Sequence, residues 1–93
     1  MVKTAFKIEI EGSVQGVFFR QFTKENADKL NLKGFVRNLE NGNVEVFVEG
    51  DKEKLAEFIE LIKKGPKYSI IRDVKIEEKK WTGEFKDFKI LKI

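Results

Sequence analysis

The sequence predicts an α+β fold in which two helices pack on one face of a mainly antiparallel sheet of four to five strands. Apolar residues alternate with polar ones in five segments and recur at helical spacing in two others. These segments follow one another in the order β-α-β-β-α-β, with one further strand at the end, which is the split β-α-β arrangement. Because the 93 residues contain no linker, repeat or low-complexity segment, we expect a single domain over residues 1–93.

The first part of the chain supplies a strand, a turn and a helix. Apolar and charged residues alternate over residues 6–10, which predicts a half-buried strand. Two glycines frame a turn over residues 12–19, and the helical spacing of the apolar residues predicts a helix from Arg20 to about Leu32. Gly34 is expected to end that helix, because glycine is the usual residue just past a helix C-terminus.

A hairpin, a second helix and two more strands follow. Residues 35–38 and 44–48 are predicted strands, and Asn41-Gly42 between them is expected to supply the positive φ angles of a tight turn. Asp51 is the expected N-cap of the second helix, and Gly65-Pro66 ends it. The remaining segments are a strand at residues 70–76, its polar tail at 77–80, a turn at 81–84 and a short strand at 88–93.

The segment from Gly12 to Arg20 is the first candidate functional feature. Backbone N–H groups of the turn and of the helix start, together with the Arg20 guanidinium, could converge on one anion. A phosphoryl group suits the planar guanidinium best. The helix dipole disfavours an arginine in a first turn by about 0.3–1 kcal/mol, and a bound dianion would reverse that effect. The alternative is a plain strand-to-helix connection with a solvated arginine.

Asn38 is the second candidate. The alternation of side chains along a strand places it on the same face as Val36. If Val36 packs beneath the helices, Asn38 lies on the side where the first helix begins, and it could meet Arg20. The amide of Asn38 both accepts and donates hydrogen bonds, so it could orient a water molecule without acting as a base. The alternative is an asparagine that caps a turn at the end of its strand.

The composition excludes several classes of function. The chain has no histidine and no cysteine, which excludes Ser-His-Asp and Cys-His catalysis, thiolate chemistry and disulfides. Chemistry is left to arginine, lysine, asparagine, carboxylates, Tyr68 or the backbone. With 41% apolar residues, a net charge of +3 and no apolar leader or membrane-length apolar run, we expect a folded, cytoplasmic protein that has no membrane partner.

Two motifs resemble the signatures of the acylphosphatase family. Residues 12–20, which read Gly-Ser-Val-Gln-Gly-Val-Phe-Phe-Arg, are similar to the first signature. Residues 34–38, followed by Gly42-Asn43-Val44, are similar to the second, at the matching interval. The resemblance spans essentially the whole chain. It departs at Lys67, where many members carry a proline, and that position lies outside the expected site.

The resemblance implies a fold, an activity and a set of functional residues. The family has a ferredoxin-like sandwich and hydrolyses acyl phosphates to a carboxylate and inorganic phosphate without a metal or cofactor. Arg20 and Asn38 are implied as the catalytic residues, Arg20 binding the phosphoryl group and Asn38 holding the nucleophilic water. Thr23 also matches many members of the family. It is either a hydroxyl on the helix surface or a substrate contact. The implied phosphate-binding turn consists of Ser13, Val14, Gln15, Gly16, Val17, Phe18, Phe19 and Arg20.

Two alternatives to an active enzyme stay open. The element order is shared with the RRM, and residues 33–36 resemble the start of its RNP1 motif, but on the second strand and not the third. Glu45 and Glu49 on the third strand would repel a phosphate backbone, so we expect no nucleic-acid partner. The other alternative is a catalytically degenerate regulatory domain on the same scaffold. The expected state is a monomer whose partners are an acyl phosphate substrate and inorganic phosphate.

Overall fold

The computed structural model describes residues 2–13, 17–67 and 69–92. It contains five strands, β1 (Lys3–Ser13), β2 (Lys33–Asn38), β3 (Val44–Asp51), β4 (Ile70–Lys79) and β5 (Phe88–Leu91), and two helices, α1 (Val17–Lys29) and α2 (Lys52–Lys64). The strands form one sheet in the order β4-β1-β3-β2-β5. Every neighbouring pair is antiparallel except β2 and β5, which run parallel. The predicted α+β sandwich and its order of elements are therefore confirmed.

The core lies between the sheet and the two helices. The central strand β3 contributes Val44, Val46 and Val48, all fully buried on the face that the helices cover. α2 buries Phe58 against this row, and Phe58 meets Phe88 of β5 with ring centroids 6.4 Å apart. Burial of each such side chain contributes about 1.5–3 kcal/mol, so this row holds the two layers together. Neither described helix has the length and apolar character needed to cross a membrane.

The opposite face of the sheet is crossed by residues 80–87, here called the outer strap. Glu49 of β3 lies under the strap and is only 1% exposed. Its carboxylate accepts hydrogen bonds from the backbone N–H groups of Thr82 and Gly83, both at 3.0 Å, and from the Thr82 hydroxyl at 3.0 Å. A buried carboxylate that accepts several hydrogen bonds is well compensated, and here it fixes the strap to the sheet.

An aromatic cluster supports the same strap. Phe85 packs against Phe35 and Phe47, with ring centroids 6.0 and 5.5 Å away. The rings of Phe35 and Phe47 are themselves stacked at 5.9 Å across β2 and β3. At the start of the strap, the Lys3 ammonium lies 5.1 Å from the centroid of the Trp81 ring. The strap therefore covers apolar surface that β2 and β3 would otherwise expose.

The first helix differs from its prediction at both ends. It begins at Val17 and not at Arg20, and it ends at Lys29 and not near Leu32. Gly34 does not end it but lies within β2, where an added Cβ would overlap the backbone carbonyl oxygen of Phe47. The positive φ angle after the helix belongs to Asn31, at 56°. Glycine at position 34 is thus required by the approach of β3, an interaction that the local sequence does not reveal.

The hairpin and the second helix match their predictions more closely. Gly42 has a positive φ of 93°, whereas Asn41 does not, and the Asn41 side chain instead accepts a hydrogen bond from the Asn43 N–H at 3.0 Å. Asp51 caps α2 as expected, because its carboxylate accepts from the Glu53 N–H at 2.9 Å. Gly65 follows the last turn with φ 72°, which confirms it as the residue that ends the helix.

Replacing Glu49 by glutamine is expected to lower the free energy of unfolding by about 2 kcal/mol. The amide turns an NH₂ group toward strap N–H donors and removes the charge that strengthens their hydrogen bonds. Urea unfolding measures the loss of free energy. It is followed by the fluorescence of Trp81, the only tryptophan, which lies in the strap itself. Glu84→Gln changes an exposed carboxylate of the same strap and serves as the control. Equal stability of the two variants would contradict the anchoring role of Glu49.

Candidate active site

An open cleft of about 690 Å³ lies where β2 and β5 end and α1 begins. Both predicted catalytic residues line it, although they come from different elements. Arg20 is the fourth residue of α1 and Asn38 is the last residue of β2. Among the described residues, the lining consists of Arg20, Arg37, Asn38, Leu39, Glu40, Leu91 and Lys92. The fold therefore brings together the helix start and the strand end that the sequence analysis paired.

Arg20 gives the cleft a cation at the start of a helix. Its side chain is half-buried, and the first turn of α1 contains no acidic residue. A helix start carries N–H groups that have no partner within the helix, so the first turn of α1 adds partial positive charge to that of the guanidinium. Such an arrangement binds an anion more readily than it binds a neutral group.

Asn38 lines the cleft and carries a buried acceptor that has no partner among the described residues. It lies opposite Val44 in the antiparallel pairing of β2 and β3, on the face where Val36 is fully buried. Its Oδ1 atom is buried and has no hydrogen-bond partner among the described residues. Buried polar atoms in native structures almost always have a partner, and an exception points to a functional role. The atom can accept a hydrogen bond from a water molecule or a ligand donor.

The predicted phosphate-binding turn is described only in part. Val14, Gln15 and Gly16 lie outside the described residues, and for Val17 only the backbone at the start of α1 is described. Their contribution through backbone N–H groups stays a prediction.

The described residues of the turn have separate environments. Ser13 ends β1 as an exposed residue opposite Ile70. Phe18 is 85% exposed, whereas Phe19 is 3% exposed and packs in the core. None of these three side chains lines the described part of the cleft. Phe19 instead fixes the first turn of α1 to the core and so positions Arg20, the next residue.

Two local features direct the chain into this turn. The pairing of β1 with β4 shifts between Glu11 and Gly12, and an added Cβ at Gly12 would overlap the backbone oxygen of Ile70. One turn into α1, Thr23 is completely buried and its hydroxyl donates to the Phe19 carbonyl at 2.9 Å. The expectation of a surface hydroxyl at Thr23 is therefore wrong, since this side chain braces the first turn from inside.

The cleft contains residues that the sequence analysis did not find. Arg37 and Leu91 lie opposite each other in the parallel pairing of β2 and β5, and Lys92 follows directly. The Nε–H of Arg37 donates to the Glu45 carboxylate at 2.7 Å, so much of its charge is compensated. The alternation of residues along the last strand predicts the face on which Lys92 lies. That Lys92 lies near Asn38 follows only from the pairing of β5 with β2.

Residues 6–90 match the family model described as acylphosphatase. The chain belongs to the acylphosphatase family. An acylphosphatase of Bacillus licheniformis is 45% identical over 85 residues, which cover 91% of this chain and 94% of that protein. The crystal structure of acylphosphatase from Bacillus subtilis has a TM-score of 0.91 and 35% identity, and the match covers 96% of this chain and 99% of that one.

A second structural relative places the acylphosphatase fold in a larger context. Full-length HypF in its phosphate- and nucleotide-bound form matches with a TM-score of 0.85 and 37% identity. The match covers 98% of this chain but only 12% of that one. The acylphosphatase fold therefore also occurs as a small part of a much larger protein.

Replacing Asn38 by alanine is expected to leave the free energy of unfolding within about 0.5 kcal/mol of the parent value, or to raise it. The change removes a buried acceptor, and no hydrogen bond of Oδ1 to a described residue is lost. Val36→Ala, on the same face of the same strand, is expected to cost about 2 kcal/mol because it removes core contacts. Chemical denaturation of both variants measures the contrast. A loss for Asn38→Ala as large as that for Val36→Ala would show that Asn38 serves the fold.

Proposed function

We propose that this chain hydrolyses acyl phosphates to a carboxylate and inorganic phosphate, with Arg20 binding the phosphoryl group and Asn38 orienting the attacking water. The observation that carries the proposal is the meeting of these two residues in one cleft, within a chain of the acylphosphatase family. The relatives of similar length at 42–45% identity bear the name acylphosphatase, which supports the same activity here.

Arg20 and the turn before it supply the binding half of the mechanism. The planar guanidinium donates paired hydrogen bonds to two phosphoryl oxygens. Backbone N–H groups over residues 13–19 and the start of α1 bind the remaining charge. In phosphoryl transfer the charge spreads over the equatorial oxygens of the transition state, and donors fixed in advance stabilise it.

Asn38 supplies the positioning half. Its Oδ1 accepts a hydrogen bond from a water molecule and holds the oxygen of that water in line with the bond to be broken. Positioning of this kind requires an acceptor that the protein leaves unsatisfied, which is the state of Oδ1 among the described residues. The amide does not take the proton, because it is not a base at neutral pH.

The leaving group explains why a chain without histidine suffices. As the water oxygen bonds to phosphorus, the bond from phosphorus to the acyl oxygen breaks and its electron pair stays on the carboxylate. A carboxylate is the base of an acid with a pKa of about 4, so it departs without a general acid. The proton of the attacking water passes to a phosphoryl oxygen of the substrate itself. The products are a carboxylate and inorganic phosphate.

The two alternatives are not favoured. An RRM binds RNA on exposed aromatic residues of the sheet face, whereas Phe35 and Phe47 are packed against Phe85 of the outer strap. A degenerate regulatory domain would not need to keep a cation and an unpaired acceptor together in one cleft. Arg20 and Asn38 are both retained there.

Replacing Arg20 by glutamine is expected to weaken the binding of inorganic phosphate by about ten- to a hundredfold. Such a loss corresponds to one or two hydrogen bonds to a charged group. Titration of phosphate followed by amide chemical shifts measures the dissociation constant directly. Arg72→Gln removes the same charge from an exposed position on β4 and is the matched control. If both variants bound phosphate equally well, Arg20 would not be the phosphate ligand.

Replacing Asn38 by alanine is expected to lower kcat for benzoyl phosphate by about 100-fold or more, with a much smaller change in phosphate affinity. The residue positions water and not phosphate, so its loss acts on the chemical step. Steady-state hydrolysis of benzoyl phosphate provides the measurement, and turnover by the parent chain tests the proposed function itself. Asn41→Ala, in the hairpin outside the cleft, is the control. A normal kcat in Asn38→Ala would remove the water-orienting role.

A further inference from the structure

We propose that Lys92 is a second cation of the phosphoryl site and binds phosphoryl oxygens together with Arg20. The inference rests on the proposed function and extends it by naming a binding residue outside both signature motifs. Lys92 lines the same cleft as Arg20 and Asn38.

The register of the sheet places Lys92 beside Asn38. β5 runs parallel to β2, with Val36 opposite Ile90 and Arg37 opposite Leu91. Continuing this register by one residue brings Lys92 opposite Asn38. Neighbouring strands lie about 4.8 Å apart, so the two side chains leave the sheet at adjacent points.

The alternation along β5 places Lys92 on the functional face. Phe88 is 1% exposed and packs in the core, and Ile90 packs against the same core. Lys92 is two residues further on and thus shares their face, whereas Lys89 is exposed on the other face. The ammonium of Lys92 is therefore directed toward the side on which α1 begins with Arg20.

The charge of Lys92 has no partner among the residues that the structure describes. Of the cations lining the cleft, Arg37 is bonded to Glu45 at 2.7 Å. Lys92 forms no ion pair or hydrogen bond with any residue in the described part of the chain. Glu40 is the one carboxylate among the described lining residues. It lies at the hairpin and forms no ion pair with Lys92 within 4.0 Å. An uncompensated ammonium in a concave site strengthens the binding of a dianion.

The direction of attack assigns this ammonium to the phosphoryl group and not to the acyl half. In-line displacement places the attacking water and the acyl oxygen on opposite sides of phosphorus. Asn38 holds the water in the proposed mechanism, and Lys92 is its neighbour on the same face. Lys92 therefore meets the phosphoryl oxygens near the water, while the acyl group points away. Lys92 then adds a second positive charge beside that of Arg20 for the phosphoryl dianion.

The test is a direct titration of inorganic phosphate into the full chain carrying Lys92→Gln, followed by amide chemical shifts. We expect the phosphate Kd to rise about tenfold, the scale of one hydrogen bond to a charged group. Lys92→Arg keeps the charge and is expected to restore most of the affinity. Lys89→Gln removes the same charge from the opposite face of the same strand and is expected to change Kd by less than about twofold.

The outcomes separate this proposal from the proposed function. The titration involves no turnover, so it decides the role of Lys92 whether or not the parent chain hydrolyses benzoyl phosphate. An unchanged Kd in Lys92→Gln, or an equal rise in Lys89→Gln, overturns the proposal. A KM increase confined to acyl phosphates with a second carboxylate, at unchanged phosphate Kd, overturns it as well and assigns Lys92 to the acyl half.

Discussion

The valine row of β3 is the constraint on which the rest of the molecule depends. Val44, Val46 and Val48 point into the core, so the residues between them point to the outer face. A slip of one residue would expose the valines and bury Glu45 and Glu49 against the helices. This row therefore fixes the register of β1 and β2 on either side. The pairing of Asn38 with Val44, and hence the position of the candidate water ligand, follows from that register.

The cleft combines local features that do not favour folding by themselves. A cation occupies the first turn of α1, where the helix dipole disfavours it, and a buried acceptor at Asn38 lacks a partner among the described residues. Each effect is small beside the burial of the core, which offsets both. A bound phosphoryl group and its water would satisfy the two features together. Sites of this kind are where local preferences and fold stability are expected to disagree.

The sequence predicted the faces of strands and the positions of turns better than it predicted which strands are neighbours in the sheet. Alternation grouped the core residues of β1 and β3 on one face of each strand, and it placed Asn38 on the face of Val36 before any pairing was known. It could not show that β5 lies parallel to β2, because that contact joins distant segments, and so Lys92 was missed. Gly34 was misinterpreted for the same reason: its small size serves the approach of Phe47 from another strand. For Thr23, the sequence left open a helix-surface hydroxyl or a substrate contact, and the packing of α1 buries the side chain.

The outer strap covers part of the sheet face that lies opposite the helices. The same order of elements can present an open sheet face to a ligand. Here the Glu49 carboxylate holds Thr82 and Gly83 over that face, and Phe85 covers the neighbouring aromatic rings. A cleft of about 690 Å³, lined by Arg20 and Asn38 among others, lies instead at the end of the sheet. The buried Glu49 carboxylate thus fixes the strap over aromatic rings that an open sheet face would expose.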